Sequence, residues 1–219
     1  MKSAVRLIIN GVICILLILP LSCSYQRLIR IPDATGFPEE IYISPANMTT
    51  PPIQFASQFK VGVFRFTNPP NTSVDPTVQL DLGTMAAQYL CEELTRNRLF
   101  SKIYMEDIRG EWSDRDVLMI GKQKGYDLII IGSVTYYIEG SRTQPASVDE
   151  VVRVMYIKNN KHIPLWHARA STVVNPARNM DFFIIEAKGA PAPSGMTLLK
   201  ANAKKMSNMI RSDLSSISQ

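Results

Sequence analysis

Four consecutive residues, Leu128-Ile129-Ile130-Ile131, sit inside "YDLIIIGSVTYYIEG" with no polar side chain among them. Successive residues of a strand point to opposite faces of its sheet. A run that is apolar at every position therefore has to be covered from both sides. This predicts a strand near 127–138 in mid-sheet, with elements packed above and below it. The rest of the chain must supply those covers and the neighbouring strands.

The flanking sequence offers both. "FKVGVFRFTN" alternates and is rich in β-branched and aromatic residues, predicting a first strand over about 59–67. In "VQLDLGTMAAQYLCEELTRNRLF", Leu82, Ala86, Tyr89, Leu90 and Leu94 recur at helical spacing, and Glu92, Glu93 and Arg96 are expected to turn outward. "LFSKIYME" reads as a second short strand. Ser113 caps a helix through "DRDVLMIGKQK", with Asp114 and Asp116 in its first turn and Gly125 just past its end. Strands near 150–158 and 164–174 form a hairpin about Asn159-Asn160-Lys161, with Trp166 and Ala168 on one face and His167 and Arg169 on the other. "TLLKANAKKMSNMIRSDL" aligns Leu199, Ala203, Met206 and Ile210 as the buried stripe of a closing helix, and Met206 and Met209 read as packing. The apolar run "FFIIE", Phe182–Glu186, is expected to join the core or a sheet. The order β-α-β-α-β-β-β-α gives an α/β (α+β) class, a mixed β-sheet with helices packed against it.

Upstream of the first strand the chain changes character. "MKSAVR" carries two positive charges and "LIINGVICILLIL" is apolar but short of the about 20 residues that cross a bilayer core. Together they have the layout of a secretory signal. The signal ends in "PLSC", which resembles a bacterial lipobox. Ser22 and Cys23 fit that pattern, while Pro20 stands where it usually carries leucine. The resemblance implies removal of residues 1–22 as a signal peptide and acylation, palmitate included, at Cys23, the lipid attachment site. Ser24 in place of an aspartate implies sorting to the outer membrane, on its periplasmic face. More than one acyl chain holds a protein stably where a single chain does so marginally. Residues 23–57 hold Pro32, Pro38, Pro45, Pro51 and Pro52 and read as a lipidated, proline-rich spacer, with "EEIYIS" inside it as a short edge strand. Residues 58–219 are expected to form the periplasmic α/β domain.

The formal charge is +5, but Lys2 and Arg6 leave with the leader, so 22 basic residues face 19 acidic ones, a balance of +3. No run of five like charges occurs, and nucleic acid is not an expected partner. Cys14 also leaves with the leader, and with Cys23 acylated, Cys91 has no partner for a disulfide. Beside Leu90 it reads as a small buried hydrophobe. The two histidines, His162 and His167, lie around one hairpin and read as surface or edge residues, since a metal site needs further converging ligands. No Walker loop, G-x-G-x-x-G, G-x-S-x-G or H-E-x-x-H appears. No catalytic residue, metal or cofactor is nominated, and an enzyme is not expected.

The pieces "VGVFRF", a helix ending "ELTRNRLF", "GYDLIIIGSVTYY" and "VMYIKNNKHIPLWHARAS" follow one another in a known rhythm over roughly 60–210. They resemble the α/β domain shared by the curli secretion-channel lipoprotein, the TolB amino-terminal domain, the lipoprotein activator of a peptidoglycan synthase and the lipoprotein of Pel polysaccharide export. Tyr126, Asp127 and Gly132 match one strand pattern of that family, and Pro164, Leu165 and Trp166 another. The resemblance implies a non-catalytic lipoprotein that works through contacts with other envelope proteins, or with copies of itself, in an export or secretion machine. A lipid-anchored regulator of a periplasmic or cell-wall synthase is the alternative, and a small-molecule binder or hydrolase the third. The curli channel inserts long hairpins into a membrane, each strand needing about 9–11 residues with a lipid face. Here the long strands are required by the sheet, so a pore is not expected.

Overall fold

Both covers demanded by Leu128–Ile131 are present in the computed structural model, which describes residues 42–43, 47–48, 58–69, 81–107, 113–158, 161–177, 180–182, 185–187 and 189–216. All four side chains are buried. Leu128 and Ile130 belong to the larger core, Ile129 and Ile131 to a smaller one on the other side of the sheet. The strand is β5 (Leu128–Ile138), and the other elements follow in chain order. They are β1 (Tyr42–Ile43), β2 (Asn47–Met48), β3 (Lys60–Phe64), α1 (Leu82–Asn97), β4 (Lys102–Glu106) and α2 (Asp114–Gln123) before it. After it come β6 (Ala146–Lys158), β7 (Lys161–Val174), β8 (Met180–Phe182), β9 (Ile185–Ala187) and α3 (Gly195–Ser216).

The main sheet runs β1-β7-β6-β5-β3-β4, with β2 also on β7. β3 is parallel to β4 on one side and to β5 on the other, the arrangement that two helical crossovers produce, whereas β5, β6 and β7 form an antiparallel meander. The sheet is mixed and the class is α/β (α+β), as the element order predicts. α1 and α3 pack together over the larger core, in which Leu82, Ala86, Leu90 and Leu94 of α1 meet Leu199, Ala203, Met206 and Ile210 of α3. Val117 of α2 closes the smaller core with Phe64, Tyr126 and Met155.

Local chemistry sets the ends of the helices. Ser113 and Asp116 form a reciprocal capping box at the start of α2, the Asp116 carboxylate accepting from Ser113 N–H at 2.9 Å. Beyond its end the chain turns through Gly125 at φ 66°, and Tyr126 N–H donates back to Gly121 C=O at 2.9 Å. Asp81 caps α1, accepting from Thr84 N–H at 3.0 Å.

Three features depart from or extend the sequence reading. Glu93 does not face water: its side chain is 15% exposed and folds along the helix to Arg96. The run at Phe182–Glu186 pairs as a separate two-stranded sheet, β8 with β9, rather than joining the main one. "EEIYIS" does supply an edge strand, Tyr42 pairing with Ser171, and Asn47 and Met48 pair further along β7. The sheet therefore reaches back into the segment read as spacer. The turn residues Asn159 and Asn160 lie outside the described residues.

Candidate functional site

The one residue assigned a chemical role from sequence, Cys23, lies outside the described residues together with the whole 1–22 leader. Among the described residues no helix is long and apolar enough to cross a membrane, and no group of three His, Cys, Asp or Glu side chains is placed to hold a metal ion.

In open α/β sheets, ligands settle outside the carboxyl ends of the strands where the strand order reverses. Here that place is the end of β3, between β4 and β5, facing the start of α1. Side chains of the chain itself are bonded to one another and to the backbone there. Gly83 N–H donates to Asn68 Oδ1 at 2.6 Å, and Thr84 donates its N–H to Asp81 Oδ1 at 3.0 Å and its hydroxyl to Oδ2 at 2.7 Å. Arg65 pairs with Asp81 at 2.9 Å. Burial alone would raise the Asp81 pKa, but the Thr84 hydrogen bonds, the Arg65 charge and Asn68 hold the carboxyl below its usual range. The helix start thus holds an ionised carboxylate of its own where an anionic ligand would otherwise bind.

The residues that carry the family resemblance form no single cluster: Tyr126 lies in the smaller core, and Leu165 and Trp166 lie in the larger one. Asp127 accepts from Lys60 N–H at 2.9 Å through Oδ2, while its own backbone N–H donates to Lys60 C=O at 2.9 Å. This clamp sets the register at which β5 meets β3. A Cβ on Gly132 would stand 2.7 Å from both the Phe66 ring and the Val151 carbonyl oxygen, so only glycine lets Phe66 lie across β5. Tyr126 lies over Gly62, and its hydroxyl donates to Glu106, which Lys124 also pairs with. Burial and the Glu106 carboxylate push the Tyr126 pKa upward. Leu165 and Trp166 are both buried although adjacent, because a bulge between the Met155–Pro164 and Val154–Trp166 pairs inserts one residue into β7. Trp166 Nε1–H donates to Asp213 of α3 at 2.8 Å. Replacing Asp127 by alanine should cost roughly 1.5–3 kcal/mol, the range of a hydrogen bond to a charged group, and a fall in the urea midpoint without a change in slope would report it.

The remaining candidates are quiet. His167 is exposed on β7 opposite Arg153, with Arg169 on the same face and Trp166 and Ala168 on the other. The side chain of His162 lies outside the described set. Cys91 is half-buried on α1, and burial, with Glu92 beside it, pushes its thiol pKa up, away from thiolate reactivity.

One group escapes the sequence reading. Glu150 of β6 is 2% exposed in the larger core, under α3. Its Oε2 and the Nδ2 of Asn202 are both sealed from solvent without a hydrogen-bond partner, while Asn202 Oδ1 accepts from the Thr172 hydroxyl at 2.6 Å. Desolvation raises the Glu150 pKa to about 8, against a smaller lowering effect of Asn202. The signal was present: in "ASVDEVVRV", Glu150 falls in the same alternation as Val148, Val152 and Val154, which are buried.

No family model matches the chain and no curated protein matches it. Among solved structures it is similar to the PelC dodecamer from Paraburkholderia phytofirmans at 12% identity and TM-score 0.49, over 78% of this chain and 96% of that one. It is also similar to a lipoprotein from Neisseria meningitidis at 17% identity and TM-score 0.39, over 70% of this chain and 99% of that one. TolB from Acinetobacter baumannii aligns at 7% identity and TM-score 0.38, over 81% of this chain but 32% of that one. These are likenesses in the course of the backbone.

Proposed function

We propose that the chain is a lipid-anchored, non-catalytic protein on the periplasmic face of a bacterial outer membrane. It acts through contacts with other envelope proteins, or with further copies of itself, as a structural or assembly component of an export or secretion machine. The observation that carries this reading is the apolar leader ending in "PLSC", with Cys23 as the acylated residue. The geometry of the domain supports a contact role. The family-pattern residues Asp127, Gly132 and Trp166 are spent on strand register, close approach and helix docking, and at the sheet's switch point Asp81 and Asn68 hold the start of α1.

The tether bears on the alternative of a regulator that reaches a synthase through the wall. With Tyr42 already paired to Ser171, 19 Cα steps separate Cys23 from the sheet. At about 3.3 Å each they span at most roughly 63 Å, against roughly 115 Å for the whole 23–57 segment. The shorter reach favours action close to the anchoring membrane.

The test is labelling of growing cells with radioactive palmitate, comparing the native chain with Cys23→Ser. Label should appear in the native protein and disappear in the variant, which should also keep its leader and leave the outer-membrane fraction. Equal labelling or unchanged processing would remove the anchored reading. Light scattering of the purified protein then separates a homo-oligomer from a monomer that needs foreign partners.

A further inference from the structure

The outer face of α3 is cationic and carries no acid. Lys200, Lys204, Asn208 and Arg211 are exposed and lie four, four and three residues apart, which places them in one stripe of the helix. The opposite stripe, Leu199, Ala203, Met206 and Ile210, is buried. The one acid of the helix, Asp213, is drawn away to the indole of Trp166. No salt bridge among the described residues involves Lys200, Lys204 or Arg211. Lys200 lies with its Nζ 5.0 Å from the centre of the Tyr89 ring, a contact that holds the ammonium in place without neutralising it. On the adjoining α1, Glu93 is already paired with Arg96, and the exposed C-cap residue is another cation, Arg98. A helix face exposed only for solubility normally intersperses acids with its bases at i, i+4, and this one does not.

We propose that this face of α3 rests on the anionic headgroups of a phospholipid surface. The stripe from Lys200 to Arg211 is about 16 Å long. Its side chains are long enough to lay their stems along the helix and extend their charged ends to a plane of phosphates. Such a plane satisfies several unneutralised cations together without shape matching, each adding attraction that salt screens. The inference rests on the anchored reading only for how α3 is brought to a membrane, since a tether of at most roughly 63 Å keeps the domain near the surface. Charge complementarity is its own support. An acidic protein is the competing occupant, and the test separates the two.

A protein that begins at residue 24 keeps every described strand and helix and has neither leader nor acylated cysteine, so any vesicle binding comes from the domain. It should sediment with vesicles containing phosphatidylglycerol, less so as salt rises, and not with vesicles of phosphatidylcholine alone. The triple variant K200E/K204E/R211E should bind roughly a hundredfold more weakly, and the K200Q/K204Q/R211Q variant should fall between. Both should keep the native circular dichroism and thermal midpoint. Equal binding to the two vesicle types, or a triple variant that binds like the native protein, overturns the proposal. So does capture by polyglutamate with no vesicle binding, which would assign the stripe to an acidic protein. None of these failures touches acylation at Cys23, which palmitate labelling reads separately.

Discussion

Alanine at Gly83 is expected to lower the thermal midpoint by roughly 10 °C, from a cost of at least about 3 kcal/mol. Gly83 is in the first turn of α1, and on propensity alone alanine there should stabilise the helix by about 1 kcal/mol. The sign is decided by space. A Cβ at this position would lie 2.7 Å from the carbonyl carbon of Phe66 and nearer still to its oxygen. The obstacle is backbone, so no rotamer change relieves it, and the same turn is held by the Gly83 N–H bond to Asn68 and the Phe66 N–H bond to Gly83 C=O at 3.3 Å. Gly125 is the control. It has φ 66° and open space around its Cβ position, so alanine there meets only the left-handed backbone cost of about 1–2 kcal/mol. A Gly83→Ala protein as stable as the native one, measured by calorimetry, would mean that α1 does not approach the Phe66 backbone as described.

The second large effect is a pH dependence that one substitution removes. Glu150 has a folded-state pKa of about 8, well above that of a carboxyl in an unfolded chain. Between about pH 4.5 and pH 8 the folded protein keeps a proton that the unfolded chain has released, so stability is fullest below that window and falls as pH rises through it. The loss is roughly 4 kcal/mol by pH 8. Glu150→Gln keeps the shape and cannot ionise. It should leave stability at pH 5 nearly unchanged and raise the midpoint at pH 8 by roughly 8 °C. Parallel pH profiles for the two proteins, in calorimetric scans from pH 5 to pH 8.5, would show that Glu150 finds a compensating partner on ionising.

Much of the architecture was legible because it rests on periodicity and caps. Leu128–Ile131 announced a strand covered on both faces, Ser113 with Asp116 marked the start of α2, and Leu199 through Ile210 marked the buried stripe of α3. What escaped depends on relations between distant residues. Thr135 and Leu165 sit at bulges that change which side chains face the core, so Tyr136 is exposed and Tyr137 buried. Pro164 marks the second of them, since proline inside a sheet is confined to edges, strand starts and bulges, but nothing local marks the first. Glu150 shared the alternation of its buried neighbours, but its lack of a cation partner emerges only when α3, with Asn202, is laid over β6. Glu93 was expected in water because its spacing is that of an exposed position; in the structure it pairs with Arg96 three residues on and is only 15% exposed. Asp127 was recognised as part of a pattern without its task, which needs Lys60 of β3 beside it.

The pairing of Tyr42 with Ser171 also dictates an order of events. The two residues are 129 positions apart, while β6 and β7 meet across a hairpin and β5 joins β6 within a short loop. During synthesis or translocation the amino-terminal arm emerges first and has no strand to pair with until nearly the whole chain has followed. The meander can assemble locally, and the arm has to wait for β7, which only β8, β9 and α3 follow in the chain. Until then the long edge of β7 stands open, and that interval is when this protein is most exposed to pairing with the wrong strand.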